Sequence, residues 1–293
     1  MAGLRARKLR ERLRERNPFP EGSATIGLWL VVAGVTAYLF LAVSGQVLGS
    51  DRYSALAVLW IVAFTAAPGF FQPLEQEIAR AIAARRARHV GSAPVIQRGV
   101  LTGGVIAAGL VVVIVVAALV SPLVDSLFEG QTLLVWALAI MLVGYFAEHT
   151  TRGVLAGHDR FGPYGLLVGS EGILRLVACV VFAVVGFESA GPYGLLIAIT
   201  PFAAVAIALT GQHGLYEPGP PASWAEISAN IGFLVAGSAL ALALLNAAGV
   251  VVQLLSSSSE SEQTSWIFAG MVLSRVPLYF FQAIQATFVP ELT

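Results

Sequence analysis

The sequence predicts an all-α polytopic membrane protein with about eight transmembrane helices, and three observations carry that prediction. Hydrophobic residues make up 57% of the 293 positions and charged residues 12%, about half the charged share of a soluble domain. Eight apolar stretches reach the roughly 20 residues that a helix needs to cross a bilayer core: 24–43, 53–73, 99–121, 131–151, 164–186, 192–210, 227–252 and 264–289. Lys and Arg fall in alternate connections between those stretches, the pattern of a chain threaded back and forth through a membrane.

Residues 1–22 form a basic segment carrying Arg5, Arg7, Lys8, Arg10, Arg12, Arg14 and Arg16. Its stretch 3–16 reads as a short basic helix drawn to anionic lipid. The apolar run that follows is longer than the 7–15 residues of a signal-peptide core, so it is expected to stay as the first span. The connection between the second and third spans carries Arg80, Arg85, Arg86, Arg88 and Arg98, and the one between the fourth and fifth carries Arg152 and Arg160. The opposite connections, 44–52, 122–130, 187–190 and 253–263, hold Arg52 as their only basic residue. The positive-inside rule then predicts a cytoplasmic N-terminus for this multi-pass chain, which is expected in the plasma (inner) membrane.

Within 74–90, Leu74, Ile78, Ala81 and Ile82 share one helical face, which reads as an interfacial helix between the second and third spans. Gly162-Pro163 and Gly191-Pro192 open the fifth and sixth spans, where proline suits a helix start. Gly165 and Gly169, with Gly172 beyond them, and Gly103, Gly104, Ala107 and Ala108 offer small-residue faces for close helix contact.

The chain also repeats its opening. SATIG at 23–27 returns as SANIG at 228–232, VAG at 32–34 as VAG at 235–237, and FFQPLE at 70–75 as FFQAIQ at 280–285. Each pair holds the same place in a long apolar segment, about 205 residues apart. The expected organisation is a six-helix first lobe at 23–211, a Pro/Gly-rich linker at 212–226, and the first two helices of a second lobe at 227–293. The second copy breaks off early, so a C-terminal truncation is expected. Repeated helix bundles are a transporter architecture, with substrate handled between the halves.

Ionisable groups inside spans cost about 2.5–3.5 kcal/mol on insertion scales and face a partner or a wet cavity. Glu171 and Arg175 lie four residues apart in the fifth span, on one face, where they can pair. Two roles stand open for them: a structural pair that fixes helix packing, or charged groups facing a cavity. Arg275 lies in the eighth span, two residues before Pro277, with no acidic residue within a turn. Glu148, His149 and Arg152 cluster at the end of the fourth span, close enough to the interface to read as solvated. Glu75 and Glu77 close the second span and are expected to cap it or to pair with nearby arginines. Guanidinium forks match phosphate oxygens in pairs. Arg275 and Arg175, with Glu171 beside it, are therefore the candidate substrate-binding residues, able to hold a pyrophosphate in a wet cavity.

Other chemistry is absent from the sequence. Net charge is zero, so nothing points to nucleic acid. Cys179 is the single cysteine and lies in an apolar run. No zinc-protease, P-loop, CxxC or GxSxG motif occurs, no cofactor is indicated, and the four histidines show no ligand spacing. The outer connections are short, which argues against an enzyme that must hold an acceptor.

Four strings carry a resemblance: FFQPLEQEIAR at 70–80, TRGVLAGHDRFGPYGLLVGSEGILRL at 151–176, the second GPYGLL at 191–196, and SRVPLYFFQAIQATFVPEL at 274–292. In them the chain resembles the oligosaccharide-lipid flippases of the multidrug/oligosaccharidyl-lipid/polysaccharide (MOP) exporter superfamily. The resemblance implies two six-helix lobes facing each other in a V and alternating access between leaflets. It implies a polyprenyl-pyrophosphate-linked oligosaccharide as substrate, membrane lipids around it, and polysaccharide-assembly enzymes as partners. Cavity arginines would engage the substrate's phosphates, a role that falls to Arg275 and then to Arg175. A multidrug exporter of the same fold is the alternative, although 24–43 and 227–252 lack the acidic residue such exporters often carry there. A non-transporting membrane scaffold or a truncated remnant is the third reading.

Overall fold

The computed structural model describes residues 23–120, 122–227, 231–255, 267 and 270. Among them every regular element is helical. The first helical run, Ser23–Ala87, is two helices that break at Gly49: α1 (Thr25–Ser50) and α2 (Arg52–Ala87). There follow α3 (Ala93–Val120), a short α4 (Leu123–Phe128), α5 (Thr132–Gly157), α6 (Phe161–Val185) and α7 (Ala190–Leu209). A single 3-10 turn (Trp224–Glu226) leads into α8 (Ile231–Leu255). Seven of the helices are long and apolar enough to cross a membrane. The chain is thus an all-α polytopic membrane protein. The first seven predicted spans fall on α1, α2, α3, α5, α6, α7 and α8. The eighth, 264–289, lies outside the described residues except for 267 and 270.

Where the sequence suggested a loop at 44–52, the chain reverses almost within one residue. Gly49 has φ 71° and ψ 173°, a conformation that any Cβ would strain.

The helices gather around α5. The α1–α2 run lies against α5 and α6, while α3 and α7 flank α5 and α8 runs beside α2. Phe40, Leu59, Phe71, Leu134, Met141 and Ile197 form the centre of the main apolar core. By contrast, α3 turns Val105, Val112 and Leu119 outward, as suits a lipid-facing helix.

Small residues set the closest crossings. A Cβ on Gly169 would lie 1.9 Å from Trp29 Cε3, and one on Gly172 2.3 Å from Thr36 Oγ1, so the predicted small face of α6 does receive α1. On α5, a Cβ on Gly153 would lie 2.7 Å from the Glu75 carbonyl oxygen, and one on Gly157 2.9 Å from that of Ala79. There α5 approaches the α2 backbone itself.

The interfacial helix expected at 74–90 is instead the end of α2, which runs unbroken to Ala87 with Pro68 and Pro73 inside it. Leu74, Ile78, Ala81 and Ile82 do share a face. That face is buried against Val95, Ile96, Val154, Ala222 and Ile227 rather than laid on a membrane surface. The covering residues come from α3, α5 and the segment after α7, which a local pattern does not reveal.

That segment, the predicted linker, is strapped across the α2–α3 elbow. Arg85, almost fully buried, donates to both carboxylate oxygens of Glu226 (2.7 and 3.2 Å) and to the carbonyls of Gly91 and Pro220. Arg80 reaches the Glu226 carbonyl at 2.8 Å, Arg98 that of Ala222 at 2.8 Å, and the Ala93 amide donates to Glu217. A Cβ on Gly91 would lie 2.0 Å from the Pro218 carbonyl, so the strap requires glycine there. The elbow's arginines are thus structural partners as well as topology signals. Arg85→Ala is expected to leave the Gly91 and Pro220 carbonyls without this donor, to leave the Glu226 carboxylate to the Ser223 amide and Arg88, and so to open the strap. Hydrogen bonds to charged groups contribute about 1.5–3 kcal/mol, so cleavage at Glu217 by a glutamyl endopeptidase should speed up about tenfold or more. An unchanged cleavage rate would show that Arg85 does not hold the strap.

Candidate functional site

A polar seam runs through the apolar interior between α2, α5 and α6. On α5, Tyr145, Glu148, His149 and Arg152 recur at the three- and four-residue intervals that align side chains along one face. On α6, Tyr164, Glu171 and Arg175 do the same at intervals of seven and four. From α2, Glu75 enters between them, carried there by the Gly153 and Gly157 approach of the two helices.

Glu75 is the hub of one half. His149 Nδ1 lies 2.7 Å from Oε2, the Tyr164 hydroxyl donates to Oε1 at 2.8 Å, and Arg152 Nε stands 3.3 Å from Oε2. An ionised carboxylate only accepts, so Nδ1 is the protonated nitrogen in that bond. Arg152 also donates to the Tyr164 hydroxyl through Nη2 at 2.8 Å and approaches Glu148 Oε1 at 3.8 Å. Glu148 Oε2 is buried and has no hydrogen-bond partner among the described residues.

In the other half, Arg175 donates to Glu171 through Nη1, and the Tyr145 hydroxyl donates to the same carboxylate oxygen at 3.2 Å. Three rings sheathe the Arg175 guanidinium: Trp60 at 4.9 Å, Phe64 at 5.6 Å and Phe40 at 5.7 Å from their centroids. Ring faces attract a desolvated cation. Arg175 is 2% exposed and Glu171 7%.

The pairing of Glu171 with Arg175 holds, and so does that of Glu75 with a nearby arginine. Arg275 lies outside the described residues. The solvated reading of the Glu148 cluster is corrected: Glu148 is 2% exposed and His149 4%, because α2 and α6 close over that face of α5. Sequence reasoning missed Tyr145, Tyr164 and the aromatic sheath. It also missed the glycine pair of α5, GVLAG at 153–157, a small-xxx-small string that the same reading had picked out elsewhere.

Three carboxylates face two arginines and one histidine. With the histidine neutral, the seam carries one negative charge beyond balance, which a single proton or a monovalent cation cancels. The arrangement can therefore hold charge out of water and exchange partners within itself.

No family model matches the chain. It is 32% identical over 179 residues to an uncharacterised protein of Mycobacterium tuberculosis, a match that covers 59% of this chain and 40% of that protein. It is 28% identical over 172 residues to an uncharacterised protein of Mycobacterium bovis, covering 57% and 38%. The matches thus span about two-fifths of the length of these curated relatives. Among solved structures, a MOP superfamily transporter from Pyrococcus furiosus superimposes with a TM-score of 0.53 at 15% identity, covering 79% of this chain and 53% of that one. A MATE solved in complex with Br-NRF gives 0.53 at 14% identity, covering 93% and 74%. At such identities the likeness is one of fold: this chain shares its fold with MOP superfamily and MATE transporters.

Proposed function

We propose that this chain acts in a secondary membrane transporter that moves a polyprenyl-pyrophosphate-linked oligosaccharide from the cytoplasmic to the outer leaflet by alternating access. The observation that carries the transport reading is the buried seam, since ionisable groups inside membrane helices are costly and mark substrate or ion pathways. The fold shared with transporters supports it. The substrate class rests on the resemblance of the four strings and on arginine chemistry. Arg275 and Arg175 would engage the pyrophosphate, with Glu171 as the anion that Arg175 exchanges for it. In the structure Arg175 is sheathed, so binding would require α6 to part from the Phe40, Trp60 and Phe64 rings. The likeness to MATE structures favours a second reading, a multidrug exporter of the same fold. The proposed surroundings are the plasma membrane, with the N-terminus in the cytoplasm and polysaccharide-assembly enzymes as partners.

The test is translocation of a labelled lipid-linked oligosaccharide by the full protein in vesicles, alongside drug accumulation in cells that express it. Arg275→Ala is expected to insert normally and to lose translocation. Arg175→Lys, which keeps the charge but not the fork, is expected to slow it about tenfold, the scale of one charge-assisted hydrogen bond. Drug efflux without oligosaccharide movement would replace the flippase by the exporter, and unchanged movement in both variants would remove the arginines from the mechanism.

A further inference from the structure

Away from the seam, α3 and α8 border an open apolar crevice of about 470 Å³, with Leu101, Thr102 and Val105 on one wall, Gly232 and Val235 on the other, and Trp224 at its end. Its α3 wall is a single helical face whose residues recur every four positions, and Leu101 and Val105 remain more than half exposed. A Cβ on Gly232 would meet nothing within 4 Å, so the α8 wall leaves open space. The crevice thus opens sideways between two membrane-spanning helices, where the surrounding solvent is hydrocarbon.

Its mouth has a different chemistry. Trp224 is 55% exposed, and the Arg98 guanidinium stacks on its ring 4.2 Å from the centroid. Tyr216, 57% exposed, stands close by, bonded to Gln97. Exposed Trp and Tyr beside arginine mark the headgroup level of a bilayer. Arg80, Arg85 and Arg88 surround the Glu226 carboxyl group and carbonyl two residues beyond Trp224. With Arg98 they set four positive charges near this rim, Arg85 buried beneath the strap, against Glu226, Glu77 and the neighbouring Glu217. Arg88 is largely exposed, its side chain at 62%. From Arg98 to Val105 the helix descends roughly 10 Å, the depth of the upper part of an acyl chain.

We propose that this crevice is a binding site for an anionic phospholipid, one acyl chain lying between α3 and α8 and the phosphate resting at Arg98 on the Trp224 rim. The apolar walls take the chain, and the unbalanced arginines select the head group. Basic pockets between membrane helices hold anionic head groups for this reason. The site bridges the α2–α3 elbow, the strap and α8. Its occupant would tie α8 to the six preceding spans, whatever the protein transports.

The experiment is native mass spectrometry of the full chain in mild detergent, titrated with phosphatidylglycerol and with phosphatidylcholine of identical acyl chains. The wild type is expected to retain phosphatidylglycerol preferentially. Arg98→Gln should cut that preference about fivefold, the contribution of one arginine near the head groups, while Arg98→Lys should keep most of it. Val105→Trp and Gly232→Leu fill the crevice from opposite walls and should lower retention of both lipids without altering thermal unfolding in lipid-free detergent. Equal retention of the two lipids by the wild type would overturn the proposal, as would crevice-filling variants that bind like wild type. A photoreactive residue at position 102 separates the occupants. Adducts of phospholipid mass support the assignment, whereas adducts to the chain's own residues 256–293 would show a protein segment there. Displacement of phosphatidylglycerol by equimolar polyprenyl phosphate would assign the crevice to a polyprenyl lipid instead.

Discussion

Glu75→Leu should be the most damaging single substitution in the seam. It removes the acceptor shared by His149, Tyr164 and Arg152 and leaves Arg152 with the more distant Glu148, at 3.8 Å, as its carboxylate partner. Breaking a buried pair by deleting one partner costs about 3–5 kcal/mol, because the survivor keeps its desolvation penalty. The expected result is a steep loss of folded protein in membranes and a much lower unfolding midpoint in detergent. Glu75→Leu combined with Arg152→Leu tests the cause. With both charges gone, part of the stability should return, since apolar replacement of a whole buried pair is often neutral, while the loss of Arg152 from beside Glu148 keeps the recovery incomplete. Transport should not return with it if the seam serves transport. A double variant as unstable as the single one would show that Glu75 acts through something other than Arg152.

Gly153→Leu should have the second-largest effect. The new Cβ would meet the Glu75 carbonyl oxygen at 2.7 Å, Ile78 Cβ at 3.1 Å and Glu75 Cα at 3.2 Å. Two of those atoms are backbone, so no rotamer change relieves the clash and the two helices must separate. Overpacking of this kind costs about 1–3 kcal/mol, and the longer side chain adds to it. Separation would also lengthen the 2.7 Å contact between His149 and Glu75, and so loosen the seam. Cysteines placed at the α2–α5 crossing should cross-link less readily in the variant, and thermal unfolding should fall. Gly109→Leu is the control, because nothing lies within 4 Å of a Cβ there. Equal stability of the two variants would mean that α2 and α5 tolerate a wider crossing than the structure shows.

The spans were legible because a bilayer imposes a length and a polarity that each segment must meet by itself. Even Gly-Pro at 162–163 and 191–192 marked real helix starts, Phe161 for α6 and Ala190 for α7. The pair Glu171–Arg175 was equally local, since four residues in a helix bring two side chains together. Glu148 was misjudged for the opposite reason. Its place near the end of a span suggested water, but what covers it comes from α2, far away in sequence, and from the next helix, α6. The arginines at 80–98 carried two meanings at once. As a count they signalled topology, while their individual partners at Pro220, Ala222 and Glu226 depended on how the strap after α7 folds back.

By itself the sequence determined the class of the protein, the order of the seven described membrane helices, and the small face of α6. Each of these follows from composition and period within one segment. Only the tertiary structure decided that Glu75 joins His149, Arg152 and Tyr164, that Arg175 is sheathed by Phe40, Trp60 and Phe64, and that the linker is strapped to the α2–α3 elbow. These contacts join residues from different helices, 70 to 140 positions apart in several cases. In a membrane the apolar faces give little direction to such pairing, because lipid solvates them as well as another helix does. Close approach at glycine and the need to satisfy every buried charge therefore fix which helices meet and where.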